Sequence, residues 1–115
     1  MYRYNAKLIR VYDGDTIWVD IDLGFGIWLR NQAIRLKGID TPEMRGSERY
    51  RGTVSRDRLI SLLERDSSGI IIQTTKGKER GKYGRILGEV FIKSEDRSVN
   101  QILLDEGLAV EYMKG

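Results

Sequence analysis

Residues 11–21, which read VYDGDTIWVDI, decide the fold of this chain. The second half of this stretch alternates apolar and polar residues, with Ile17, Val19 and Ile21 on one face. A period of two is typical of a strand that buries one face and exposes the other. Asp13-Gly14 before it is a turn dipeptide, because glycine accepts the positive φ of a tight hairpin. The stretch therefore predicts a hairpin whose second strand lines a core.

The first strand of this hairpin begins before the quoted stretch, and further strands follow the hairpin. We predict three strands before a central helix and two after it, over residues 3–12, 16–21, 28–38, 69–75 and 85–92. Gly24 and Gly26 mark the turn between the second and third strands. The helix is expected over residues 47–65, where leucines recur at helical spacing. A polar, basic loop is expected over residues 76–84.

A short second helix completes the pattern. Ser98 and Gln101 form a capping box at its start, and Gly107 marks its end. The order β-β-β-α-β-β-α indicates a mainly β fold with two helices. A five-stranded barrel with a helix between its third and fourth strands has the order of the OB-fold. We expect one such domain over residues 1–115, of a kind that often binds nucleic acid, although fold alone does not assign function.

The residue types that are present limit the chemistry of this chain. Its 115 residues include no cysteine and no histidine. This composition excludes disulfides, thiol nucleophiles, imidazole bases and metal ligands of both types. Any catalysis must use carboxylates, hydroxyls, Arg, Lys, Tyr or a metal held by oxygen atoms. The basic residues in the middle of the chain, over 45–65 and 76–85, either attract a polyanion or form an ordinary solvated surface.

Three polar clusters interrupt the predicted strands, at residues 13–16, 40–43 and 82–85. Each alone has a simple structural interpretation: a turn, a helix cap, and a surface arginine where a strand begins. Together they suggest one site, because Asp15 and Asp40 fall at the same end of the predicted sheet. Their carboxylates are the hard oxygen ligands that Ca²⁺ and Mg²⁺ prefer.

The remaining groups in and near these clusters suit phosphodiester hydrolysis. Glu43 follows Asp40 by three residues and is placed to deprotonate a water molecule near a bound metal. Arg35 and Arg85 carry planar guanidinium groups, which bind phosphate through paired hydrogen bonds and stabilise the charge that grows on it. A carboxylate-held metal, a base and two arginines make a hydrolytic site without histidine or cysteine.

The chain resembles the staphylococcal nuclease (thermonuclease) family from about residue 7 to residue 109. The resemblance rests on VYDGDT at 11–16, IRLKGIDTPE at 34–43, KYGR at 82–85, VN at 99–100 and EGLA at 106–109. It implies a calcium-dependent OB-fold nuclease that cuts DNA and RNA with little sequence preference and leaves 3′-phosphate ends. Magnesium is the alternative metal.

This resemblance also implies a role for each polar position. Asp15 and Asp40 would bind the metal through their carboxylates and Thr41 through its backbone carbonyl, with Asp13 in the outer shell. Glu43 would activate the water.

The same resemblance implies how the substrate is held. Arg35 and Arg85 would bind the scissile phosphate. The residues implied to contact the rest of the strand are Lys82 and Tyr83, at a neighbouring phosphate, and Tyr112, which would stack on a base.

We therefore expect a metal-dependent endonuclease that acts on DNA and RNA, prefers single strands and is a monomer. The alternative is a non-catalytic OB-fold module that holds single-stranded nucleic acid, with Trp18, Trp28 and Tyr83 as stacking residues. A third interpretation is a structural or interaction protein. The first residues lack the apolar stretch of a signal peptide. We expect a cytoplasmic or phage- or plasmid-encoded protein without a membrane partner, or a secreted one if a leader precedes Met1.

Overall fold

The computed structural model describes residues 1–66, 69–75 and 84–112. In chain order the strands and helices are β1 Tyr2–Asp13, β2 Thr16–Gly24, β3 Ile27–Leu36, β4 Ile39–Asp40, α1 Arg49–Glu64, β5 Ile70–Thr74, β6 Ile86–Phe91, α2 Val99–Asp105 and β7 Val110–Glu111. A 3-10 turn over Gly46–Glu48 precedes α1. The predicted loop over residues 76–84 lies outside the described residues except for its last position.

Five of these strands close into a barrel in the order β1-β2-β3-β6-β5. Neighbouring strands are antiparallel except β3 and β6, which pair in parallel from Ile34↔Ile86 to Leu36↔Gly88. The helix α1 follows the first three barrel strands, so the predicted OB-type barrel with a central helix is confirmed. No helix in the described part of the chain is both long and apolar enough to cross a membrane.

The core fills the barrel interior and the space under α1. The residues that the alternation placed on the inner face of β2, Ile17, Val19 and Ile21, are 0%, 0% and 4% exposed. The leucines that α1 turns toward the barrel are all buried: Leu59, Leu62 and Leu63. Burial of such side chains supplies the main driving force for this fold.

The turn between β1 and β2 lies where the sequence predicts it, but the reason given for Gly14 is wrong. Gly14 does not adopt a positive φ. It is buried, and a Cβ there would come within 2.7 Å of Thr41 Oγ1 and 3.0 Å of Ser55 Cβ. Glycine therefore serves at this position because the turn packs against the loop after β4 and against α1.

The structure also contains a strand pair that the sequence did not predict. Ile39 pairs with Glu111 and Asp40 with Val110 in a two-stranded antiparallel sheet. Pro42 lies two residues beyond Asp40, where its nitrogen cannot donate a hydrogen bond that would extend the pairing. The polar segment predicted as a break in the pattern therefore begins with a paired residue, Asp40.

The start of α2 shows one half of the predicted capping box. Ser98 Oγ accepts a hydrogen bond from the Gln101 N–H at 3.0 Å. The Gln101 side chain instead donates to Asp105 Oδ1 at 2.7 Å, farther along the helix. Behind this cap, the buried Asn100 accepts from Val90 N–H and donates to the Lys37 carbonyl. Asn100 thereby joins α2 to the barrel.

Candidate active site

Asp15 directly precedes β2 and is only 7% exposed. Its Oδ2 accepts hydrogen bonds from both the backbone N–H and the Oγ1 of Thr41, each at 3.1 Å. Its backbone carbonyl accepts from the Leu36 N–H at 2.8 Å. These contacts fix the Asp15 carboxylate between the first hairpin and the loop after β4, where the sequence predicts it.

Arg35 bridges the two carboxylates expected to bind a metal. Its Nη2 lies 3.4 Å from Asp15 Oδ2 and 3.3 Å from Asp40 Oδ1. Its Nη1 donates to the carbonyls of Leu36 and Ile39 at 3.0 and 2.9 Å. Because four oxygen atoms hold its two terminal nitrogens, the guanidinium has a defined orientation.

Burial and mutual repulsion act on the carboxylates around Arg35. Burial, followed by the charge of Asp15, raises the pKa of Asp13 from 3.8 to about 6. Burial and then Asp15 also raise the pKa of Asp40, although Arg35 opposes the shift. Burial and neighbouring carboxylates both disfavour the ionised forms of these acids, which additional positive charge would favour.

The donor set fits a hard cation with few protein ligands. Asp15 and Asp40 converge on the single Arg35 cation, and both offer oxygen atoms only. The described residues contain no group of three or more acidic, histidine or cysteine side chains close enough to hold a metal by themselves. A cation here would therefore complete its coordination with a backbone carbonyl, such as that of Thr41, and with water.

Arg85 reaches the same end of the barrel from a different strand. It directly precedes β6, and its Nη1 donates to Thr16 Oγ1 at 3.3 Å. Thr16 pairs with Arg35 across β2 and β3. The structure thus brings together Arg35, Arg85, Asp15 and Asp40, as the sequence predicts. Thr16 belongs to the predicted polar cluster at residues 13–16, but no role was predicted for it.

Glu43 lies near this cluster but outside its hydrogen bonds. It is exposed, and its backbone N–H donates to Glu48 Oε1 at 3.0 Å. Its charge contributes to raising the pKa of Asp40, which places the two carboxylates within electrostatic range. Glu43 is therefore a solvent-exposed carboxylate within electrostatic range of Asp40.

Gly52 of α1 supports the loop that carries Glu43, and the sequence analysis missed it. A Cβ at this buried position would lie 2.7 Å from the Glu43 carbonyl carbon and 2.8 Å from the Pro42 oxygen. A glycine inside a helix costs about 1 kcal/mol relative to alanine. That cost is the signal that could have revealed the close approach.

The other side of the loop faces a cavity of about 310 Å³. Asp40 and Thr41 line it together with the start of α1 and residues 107–110. Ser55 Oγ donates to the Leu108 carbonyl at 2.6 Å across its floor. This hydrogen bond joins α1 to the segment after α2 beside the loop.

Of the residues expected to contact the rest of the strand, only Tyr112 belongs to the described part of the chain. Its ring centroid lies 5.7 Å from Arg35 Cζ, within the range of a cation–π contact. Its backbone N–H donates to the Gly38 carbonyl at 2.9 Å, which fixes the main chain beside β4. Lys82 and Tyr83 lie outside the described residues.

Together these features define an OB-fold protein with paired carboxylates and two arginines at one end of the barrel, an arrangement suited to a phosphate group. Residues 33–115 match the family described as Staphylococcal nuclease homologue. The chain therefore belongs to the staphylococcal nuclease family.

Known relatives extend this family assignment over most of the chain. Endonuclease YncB of Bacillus subtilis is 35% identical over 106 residues, which cover 91% of this chain and 46% of YncB. The SPbeta prophage-derived endonuclease YokF of the same organism is 34% identical over 106 residues, 91% of this chain and 33% of YokF. The thermonuclease of Staphylococcus hyicus is 31% identical over 112 residues, 90% of this chain and 56% of that enzyme. The chain thus spans between a third and just over half of the length of these relatives.

Proposed function

We propose that this chain is a calcium-dependent nuclease that hydrolyses the phosphodiester bonds of DNA and RNA and leaves 3′-phosphate ends. The observation that carries the proposal is the position of Arg35, whose Nη2 lies within 3.4 Å of both Asp15 and Asp40. A phosphate bound by Arg35 would lie beside both carboxylates. The relatives named endonuclease and thermonuclease support the same chemistry.

The chain supplies the ligands for a divalent metal, which the relationship to thermonucleases implies. Asp15 and Asp40 would hold it through their carboxylates and Thr41 through its carbonyl, and calcium fits such an all-oxygen set better than a transition metal. When bound, the metal polarises the phosphate and offsets its negative charge.

The remaining groups then divide the work of hydrolysis. Glu43 accepts a proton from a water molecule, whose oxygen forms a bond to phosphorus. Arg35 and Arg85 donate hydrogen bonds to the phosphate oxygens and stabilise the charge that grows on them. The bond from phosphorus to the 5′-oxygen breaks, and that oxygen takes up a proton from solvent. The phosphate stays on the 3′ side, because the 5′-oxygen is the leaving group.

The substrate class follows from the same groups. The phosphate, and not the sugar, is bound by Arg35, Arg85 and the carboxylate-held metal. Both DNA and RNA can therefore be substrates. Duplex substrates hold their bases in a stack, whereas a single strand lets a base reach Tyr112 beside Arg35. We propose single strands as the preferred substrate and a monomer as the active form.

A digestion assay tests this function. Purified protein is incubated with single-stranded DNA, duplex DNA and RNA, each with calcium, with magnesium and with a chelator. Glu43→Gln is expected to slow cutting by about 100-fold or more, the scale of a lost acid–base group. Glu64→Gln, an exposed acid at the end of α1, is the matched control and keeps the wild-type rate. The products are expected to carry phosphatase-sensitive 3′ ends.

Cutting that proceeds unchanged in chelator would contradict the proposed metal dependence. Wild-type rates in Glu43→Gln would contradict the role of Glu43 as the base.

The second candidate function is an OB-fold module that binds single strands without cutting them. Trp18 and Trp28, each under a cationic side chain, favour it. It predicts salt-sensitive binding and intact substrate in calcium.

A further inference from the structure

The outer face of β1, β2 and β3 carries an array of indole rings and cations. Lys7 Nζ lies 5.0 Å and Arg30 Cζ 5.2 Å from the ring centroid of Trp28. Arg10 Cζ lies 5.2 Å from the ring centroid of Trp18. We call this set of five residues, Lys7, Arg10, Trp18, Trp28 and Arg30, the aromatic face. Nothing in the hydrolytic chemistry above uses it.

The aromatic face is continuous with the active site. The buried side of β2 consists of Ile17, Val19 and Ile21, so residues 16, 18 and 22 belong to the opposite side. Their partners on β3 are Arg35, Ala33 and Trp28 in that order. One face of the sheet therefore runs from Arg35 past Trp18 to Trp28, over about 20 Å at about 3.3 Å per residue. Thr16, at the Arg35 end of this face, is only 4% exposed.

The charges on this surface favour an anionic ligand. Lys7, Arg10 and Arg30 lie on it with two carboxylates, Asp20 and Asp22. Arg30 Nη1 binds Asp20 Oδ2 at 3.1 Å, and the Asn31 N–H also donates to Asp20. The backbone hydrogen bond from Asn31, followed by Arg30, lowers the pKa of Asp20, which stays charged and occupied by these partners. Lys7 and Arg10 lie against indole rings and are exposed.

We propose that the aromatic face is a second binding surface for single-stranded nucleic acid, which extends the strand held at the active site. Bases stack on Trp18 and Trp28 while Lys7 and Arg10 turn to the phosphates, a combination that OB-folds use for sites of about 4–16 nucleotides. This proposal extends the proposed function and rests on it, because the nucleic acid strand bound here is the substrate of the nuclease. A duplex does not fit, because its base faces are already stacked.

A lipid surface is the competing occupant. The tip of the β2–β3 hairpin exposes Leu23, Phe25 and Ile27, and Phe25 is fully exposed. The cations of the aromatic face lie along the strands instead of around that tip, and the face leads to Arg35. These two observations favour a nucleic acid strand.

Intrinsic fluorescence provides a direct test, because Trp18 and Trp28 are the only two tryptophans of the sequence. Oligo(dT) of twelve nucleotides is titrated into the full chain in a chelator, so that binding is observed without cutting. Stacking is expected to quench the tryptophan emission to saturation. Trp28→Leu is expected to weaken binding about tenfold or more, the scale of one lost base–aromatic stack.

Arg10→Gln provides a second variant that leaves both indoles in place. It is expected to weaken binding and to lower the slope of log K against log salt by about 0.7, the value for one phosphate contact on a single strand. Phe25→Ser, at the hairpin tip, is the control and leaves oligonucleotide binding unchanged. Anionic vesicles of phosphatidylglycerol are titrated in parallel with the same four proteins.

The outcomes separate the two proposals. Quenching by oligo(dT) without any cutting in calcium supports the aromatic face and overturns the nuclease. Cutting in calcium together with unquenched tryptophans, or with wild-type affinity in both Trp28→Leu and Arg10→Gln, overturns the aromatic face alone. If the protein binds vesicles, loses that binding in Phe25→Ser and does not respond to oligo(dT), the proposed nucleic acid ligand is overturned in favour of a membrane surface.

Discussion

Asp15 accepts two hydrogen bonds from Thr41, one from its backbone N–H and one from its Oγ1, both at 3.1 Å. The pair joins the first hairpin to the loop after β4 and so sets the position of Asp15 relative to Asp40. We expect Thr41→Val to cost about 1–2 kcal/mol in the free energy of unfolding, because a buried carboxylate loses one donor. Urea unfolding of the wild type and the variant measures this change in the free energy of unfolding. Thr41→Ser, which keeps the hydroxyl, should retain most of the stability, and equal losses in both variants would count against the hydrogen bond.

Gly52→Ala should reverse the usual effect of alanine in a helix. Alanine ordinarily stabilises a helix interior by about 1 kcal/mol relative to glycine. Here the added Cβ would meet the backbone of Pro42 and Glu43, so α1 or the loop must move. We expect lower stability and slower cutting, measured by thermal unfolding and by initial rates. Ser61→Ala, at an exposed position of the same helix, is the control, and an increase in stability for Gly52→Ala would contradict the close contact.

Arg35→Lys should preserve the charge and still lose activity. A lysine ammonium cannot reproduce the two separate nitrogens that bind the Leu36 and Ile39 carbonyls and the carboxylates of Asp15 and Asp40. We expect a fall in kcat/KM of about 100-fold or more on single-stranded DNA. Arg49→Lys, at the exposed start of α1, should be neutral. Activity retained in Arg35→Lys would show that charge alone is sufficient.

The raised pKa of Asp13 predicts a specific pH dependence of stability in the metal-free protein. Burial and the charge of Asp15 raise the pKa of Asp13 from 3.8 to about 6 in the folded state. Between these two values the folded state binds more protons than the unfolded chain, so stability falls as pH rises. The stability of the wild type relative to Asp13→Asn should therefore fall from about pH 4 to about pH 6 and then level off. Urea unfolding in chelator at several pH values measures the difference.

Asp57→Asn, which removes an exposed acid of α1, is the control for that pH series. The difference between the wild type and Asp57→Asn should not show a comparable fall over the same window. A constant difference between the wild type and Asp13→Asn would contradict the raised pKa.

Asn100→Ala should be among the most damaging single changes outside the site. The buried side chain accepts from Val90 N–H at 3.0 Å and donates to the Lys37 carbonyl at 2.9 Å. Each buried group left without a partner costs about 1–3 kcal/mol. A large drop in the melting temperature is expected, against little change for Asn5→Ala on the exposed side of β1. A small drop would mean that water replaces both contacts.

The sequence predicted the barrel because its strands show clear periodicity. Ile17, Val19 and Ile21 alternate with polar residues, and such a strand has only one way to bury its apolar face. The leucines of α1 likewise lie on one side of the helix, which is the side that faces the core. The polar residues Asp15, Arg35 and Asp40 could be predicted to meet, since they fall at the ends of strands that the topology brings together.

The contacts that support the site could not be predicted in the same way. Gly14 and Gly52 act through the space that a missing Cβ leaves, and that space is set by segments far away in the chain. The pairing of Asp40 with Val110 involves only two residues on each side, too few to produce a period in the sequence. Close packing between distant segments is a property of the folded molecule and leaves little local signature.

The pairing of β4 with β7 also has a consequence for the time at which the site forms during synthesis. The hairpin that carries Asp15 is synthesised before the other barrel strands, whereas Val110, which pairs with Asp40, is added seventy residues after Asp40. Folding of a domain waits for such long-range partners. The strand β7 is synthesised only after all five barrel strands and the second helix. A nascent chain that ends before residue 110 carries the acids and arginines of the site but lacks the strand that pairs with Ile39 and Asp40.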